Sequence, residues 1–92
     1  MSEVRPLFIP LARKWFDAFA SGEKNQEWRR YGARWNERVC AMGRPVLLSL
    51  GYTRTRLPGR IIGFERVPAA GPAIEIYGAD AECALIHIAL TK

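Results

Sequence analysis

Lys24, Glu27, Arg29 and Tyr31 set an ammonium, a carboxylate, a guanidinium and a phenol within eight residues of one another. Lys24 with Glu27 offers a cation for phosphate and a carboxylate for proton transfer or for the amino edge of a base. Arg29 can grip a phosphate or carboxylate with two donors at once. Lys24, Glu27 and Tyr31 together are the candidate catalytic set, with Tyr31 or Tyr52 as a proton donor. The rings of Tyr31, Trp35 and Tyr52 are candidates for base stacking, worth about 1–3 kcal/mol for an unstacked base. Arg34, Arg38, Arg54 and Arg56 would add salt-dependent affinity for a polyanion. Each residue also has a plainer reading: Lys24–Glu27 as an ion pair fixing a turn, Arg29 paired internally with Glu27, Trp35 packed in the core, and the outlying arginines simply solvated.

Other chemistries find little support. His87 is the one histidine, alternating with Ile86 and Ile88, and a lone strand histidine is usually structural. Glu65 and Glu75 are the acids of the later predicted strands, and spacing does not choose between them as a further site acid. Cys40 and Cys83 are too far apart for a CxxC motif and too few for a disulfide framework, so both read as buried thiols. The sequence has no Gly-rich phosphate loop, nucleophile elbow or metal-ligand cluster, and implies neither cofactor nor metal.

Charge points to the partner. Residues 1–60 carry twelve Lys/Arg against five Asp/Glu, a net of +7, while residues 61–92 come to −2. Most of these cations are arginines, interleaved with aromatics, which is the footprint of a polyanion binder, nucleic acid first. Ninety-two residues at 49% hydrophobic describe a single domain over 1–92 and argue against disorder. No apolar run reaches the length of a membrane span, and the first residues lack a signal-peptide pattern, so a soluble cytoplasmic protein is expected.

The elements that must hold these side chains follow from periodicity. Leu7-Phe8-Ile9 predicts a short strand, and Pro10 can open a helix in which Leu11, Trp15, Ala18 and Phe19 recur, stopped at Gly22. A turn at 23–25 leads to a strand with Glu27, Arg29 and Tyr31 on one face and Gln26, Trp28 and Arg30 on the other. Trp35, Val39 and Met42 predict a second helix over 33–42. Strands are expected at 46–50, 60–67, 74–77 and 84–90, with a cationic loop at 53–59 and a bulge or bend at Gly63. The class is α+β: a small β-barrel of about five to six strands with one or two flanking helices.

Trp15-Phe16-Asp17-Ala18, followed by Ser21-Gly22-Glu23-Lys24-Asn25-Gln26-Glu27-Trp28-Arg29, resembles the ASCH family of PUA-like β-barrels. Gly22, Lys24, Glu27 and Arg29 occupy the four fixed positions of its Gly-x-Lys-x-x-Glu-x-Arg pattern. Trp35, Arg38 and Gly51-Tyr52 are similar to a continuation found in small, often phage- or prophage-borne members, so the likeness spans about residues 7–67. The resemblance implies an RNA- or nucleotide-binding cleft lined by the motif residues Lys24, Glu27 and Arg29, to which residue type adds Tyr31, Arg34, Trp35, Arg38, Tyr52 and Arg54 as further candidates for ligand contact. It also implies alternatives. Some members resemble ribonucleases, and one branch is an amidohydrolase of acylated cytidine that uses a Lys and, three residues later, a Thr. Lys24 matches that Lys, but Glu27 stands in the place of the Thr, which removes the hydroxyl. A hydrolase acting on RNA or a modified nucleoside, and a protein-interaction module, are the competing expectations. A homodimer is a further possible arrangement, a second copy completing a shallow cleft.

Overall fold

The apolar run after Pro6 forms strand β1, Leu7–Leu11, in which Ile9 and Leu11 are buried and Phe8 and Pro10 alternate to the other side. These details come from a computed structural model, which describes residues 5–91. Pro10 does not open a helix. Pairing of β1 with the strand at 45–50 continues as far as Leu11, and the helix starts only at Arg13. That helix, α1 (Arg13–Ser21), buries Phe16 and Phe19. Gly22 ends it at φ 87°, a left-handed conformation that costs glycine little, with its N–H bonded to the Phe19 carbonyl.

Four more strands follow: β2 (Gln26–Arg30), β3 (Pro45–Leu50), β4 (Arg56–Pro68) and β5 (Glu82–Leu90). A second helix, α2 (Pro72–Tyr77), lies between the last two. The five strands make one mixed sheet in the order β1-β3-β4-β5-β2, with β1 and β3 parallel and the other pairs antiparallel. The sheet curls into a half-barrel around Ile9, Phe19, Leu48, Ile61, Ile86 and Ile88. A register shift between Ile61 and Gly63 places the expected irregularity in β4. There the His87 ring lies 3.1 Å from where a Gly63 Cβ would stand. Among the described residues, no helix is long and apolar enough to cross a membrane.

The α+β class holds, with five strands and two helices, but three further expectations fail. Residues 33–42 form turns, not a helix. The Asn36 side-chain oxygen accepts from the Arg38 and Val39 amides at 3.1 and 2.9 Å, a local alternative to the helical ladder. Residues 74–77 belong to α2, not to a strand. Gly71 and Pro72 start that helix and Gly78 stops it, so terminal signals override the alternation of Ile74-Glu75-Ile76-Tyr77. The cationic loop is also shorter than expected, because β4 begins at Arg56.

Candidate functional site

β1 and β2 are the open edges of the sheet, and Arg29 ties them together. Its Nε donates to Glu27 Oε2 at 2.9 Å, and its Nη2 donates to the Pro10 carbonyl at 2.7 Å. The guanidinium also lies 4.9 Å from the Trp35 ring centroid. Two of its three nitrogens are thus engaged within the protein, and Arg29 is first of all a positioning residue for Glu27 and for the seam.

The turn out of α1 aims Lys24 at the same place. Its backbone N–H bonds to the Ala18 carbonyl at 3.1 Å, and the Ile88 N–H bonds to the Asn25 carbonyl at 2.9 Å, which anchors both ends of the turn. Lys24 Nζ then lies 3.8 Å from Glu27 Oε1 and 5.0 Å from the Trp15 ring centroid.

Beside these three charges an open cleft of about 360 Å³ runs along the β2 edge. This is near the lower end of the range for small-molecule sites, about 300–1,000 Å³. It is lined by Pro10 and Leu11 of β1 with Ala12, by Trp15 of α1, by Lys24 and by Glu27, Trp28 and Arg29 of β2, and by Pro72, Ala73, Ile76 and Tyr77 of α2. The Tyr77 hydroxyl donates to the Trp28 carbonyl at 3.3 Å and fixes α2 against the strand.

Glu27 is only 8% exposed. Burial raises its carboxyl above the ordinary carboxylate range, against the opposing pull of Arg29 and then Lys24. Burial also lowers the Lys24 ammonium; Glu27 opposes this and Arg29 adds to it. The cleft thus combines two cations, one buried acid and an apolar, aromatic lining.

Of the sequence candidates, Lys24, Glu27 and Arg29 converge here and the others do not. Tyr31 follows the end of β2. Its hydroxyl is bound to Glu37 and its ring lies 4.1 Å from the Arg66 guanidinium, so it does not face the cleft as a proton donor. Trp35 packs against the core cluster beneath Arg29. Arg34, Arg38, Tyr52 and Arg54 are exposed and line no part of the cleft. His87 Nε2 lies 2.7 Å from Glu65 Oε2, while the amide nitrogen of Gln26 lies 3.3 Å from Nδ1. Glu65 is therefore the acid that His87 meets, on the sheet face opposite Glu27, and Glu75 is exposed on α2. Among the described residues no group of His, Cys, Asp and Glu is placed to hold a metal. Cys40 and Cys83 are free and buried.

The three aromatic residues of the cleft escaped the sequence reading. Trp15 read as helix core, Trp28 fell on the strand face opposite Glu27, and Tyr77 sat in a segment taken for a strand. Because β2 is an edge strand, the cleft reaches Trp28 from the side as well as Glu27 and Arg29. The Gly71-Pro72 start signal could have revealed α2 and with it Tyr77. No family model matches this chain, and no curated protein matches it.

Proposed function

We propose that this protein is an ASCH-like, PUA-like RNA- or nucleotide-binding domain whose ligand enters the cleft beside β2. The observation that carries this reading is the convergence of Lys24, Glu27 and Arg29 with Trp15, Trp28 and Tyr77 around one open cleft. The aromatic lining suits the face of a base, Glu27 can accept from an exocyclic amino group, and Lys24 suits a phosphate. The excess of positive charge in residues 1–60 would draw a polyanion toward it. Binding of short single-stranded RNA and of nucleoside monophosphates, titrated at two salt concentrations, tests the reading. Binding at low salt that weakens with salt, and about tenfold with Lys24→Ala or Trp28→Ala, supports it. Absence of binding at low salt, or indifference to both substitutions, refutes it.

A hydrolase acting on RNA or a modified nucleoside is the second reading, favoured by one observation. Burial raises Glu27 and lowers Lys24, moving both toward the neutral range in which acid–base groups work best. Turnover of acylated nucleosides or RNA that disappears with Glu27→Gln is its expected signature; no turnover across such a panel removes it.

A further inference from the structure

Residues 38–64 contain five arginines and no aspartate or glutamate, and their outward face lies apart from the lining of the cleft. Phe8, Leu47 and Pro58 stand opposite one another across β1, β3 and β4. Ile9, Val46 and Leu48, their neighbours along the strands, are buried, so Phe8, Leu47 and Pro58 face outward. On this face the Phe8 ring lies 5.0 Å from the Arg56 guanidinium and 5.9 Å from the Tyr52 ring, tilted by 32°. Tyr52 is 84% exposed. Arg56 Nε is held by the Thr53 carbonyl at 3.3 Å, which fixes the guanidinium beside the rings. Among the described residues, neither Arg54 nor Arg56 pairs with a carboxylate.

The exposed Tyr52 ring and the half-buried Phe8 ring, beside uncompensated guanidinium groups, form a stacking platform for an unpaired base, with donors for its phosphate. An acidic peptide would use the arginines but leave the rings without a planar partner, so nucleic acid is the better match. The platform is also continuous with the cleft. Phe8 precedes Pro10 by two residues on the same side of β1, about 7 Å along the strand, and Pro10 rims the cleft. That separation is within reach of neighbouring nucleotides on one unstacked strand.

We propose that the ligand is a single-stranded oligonucleotide, with one base in the cleft, a neighbouring base stacked on Phe8 and Tyr52, and phosphate held by Arg54 and Arg56. This rests on the cleft reading above and extends it from a single nucleotide to a strand. The test compares a single-stranded RNA octamer with nucleoside monophosphates, using wild type, Tyr52→Ala, Arg54→Gln/Arg56→Gln and Lys24→Ala, each checked for unchanged thermal unfolding. Tyr52→Ala is expected to weaken octamer binding about tenfold and leave monophosphate binding unchanged. The double arginine variant is expected to flatten the salt dependence of octamer binding by about 1.4 in log–log slope, at about 0.7 for each phosphate that is no longer neutralised. Monophosphate binding that depends on Lys24, together with octamer binding untouched by Tyr52→Ala and by the arginine pair, overturns the strand proposal and leaves the cleft reading intact. Octamer binding that needs Tyr52 but not Lys24 overturns the shared path. Binding of neither ligand overturns both readings, and displacement of the octamer by poly-glutamate at equal charge overturns the assignment to nucleic acid.

Discussion

Replacing Arg29 with methionine keeps much of the side-chain volume and removes every polar interaction that the guanidinium makes. Glu27 loses its 2.9 Å partner, the Pro10 carbonyl loses its 2.7 Å donor, and Lys24, 3.8 Å away, remains as the cation beside the carboxylate. Breaking a buried ion pair by removing one member costs about 3–5 kcal/mol. Here the Arg29 and Glu27 side chains retain 19% and 10% exposure, so water recovers part of that loss, and the orphaned carbonyl lies at the rim of an open cleft. A destabilisation of about 2–4 kcal/mol follows, set against a total of about 5–14 kcal/mol for a domain of this length. The variant should still fold, with its melting temperature lower by roughly 10–25 °C. Removing both charged partners relieves the stranded acid, so Arg29→Met/Glu27→Gln should cost less than the sum of the two single changes. The cost should also depend on pH. Burial lifts folded Glu27 above its ordinary value of 4.5, so the native state binds more protons and stability falls as pH rises from there through the folded value. Loss of Arg29 removes the strongest opposing influence and lifts Glu27 further. The deficit of Arg29→Met should therefore be smallest near pH 4 and greatest above the raised value. Urea unfolding followed by tryptophan fluorescence across this pH range measures it. A cost below about 1 kcal/mol at pH 7, additive double-variant energies, or a deficit that grows on acidification would refute the reasoning.

Other outcomes are as specific. A Cβ at Gly59 would stand 2.7 Å from the backbone oxygen of Ala89, so Gly59→Ala should cost about 1–3 kcal/mol in thermal unfolding; an unchanged transition would show that β4 and β5 can part at little cost. Burial lifts the Cys40 thiol to about 11 and also raises Cys83, so neither should react with a thiol reagent near pH 8 in the folded protein, and both should react in urea. Folded Lys24 sheds its proton below its ordinary 10.5, so the unfolded chain binds more protons in that window and stability should rise with pH there. Lys24→Met should flatten that alkaline rise in urea unfolding; an equally steep rise in the variant would place its origin elsewhere.

The parts of the fold that sequence made legible are those in which one strong local signal met no competitor. Phe16 and Phe19 on α1, Gly22 at its end, and the apolar runs of β3 and β5 all fall in this group. Glu27 and Arg29 were legible as a pair because strand alternation puts them on one side, and Lys24 because the turn from α1 into β2 is short. Tyr31 continued that alternation on paper, but the strand ends at Arg30 and the ring turns to Phe64 and Arg66. The helical spacing of Trp35, Val39 and Met42 was real but outweighed by Asn36, whose side chain bonds the backbone of its own turn. The wall made by α2 stayed hidden because six residues with alternating isoleucines satisfy a strand template as well as a helical one. Tyr52 and Arg54 were expected in the cleft but lie outside its lining, since they follow β3, which the strand order β1-β3-β4-β5-β2 sets apart from β2.

The central claim is that the cleft beside β2 receives a nucleotide, and the three tryptophan indole N–H signals are placed to report it. Trp15 and Trp28 line the cleft, whereas Trp35 lies outside its lining, against the core. In a proton–nitrogen correlation spectrum titrated with nucleoside monophosphates at low salt, the expected result is saturable shifts of the Trp15 and Trp28 indoles, with Trp35 moving far less. Spectra that stay unchanged, or shifts confined to residues away from the cleft, would contradict it.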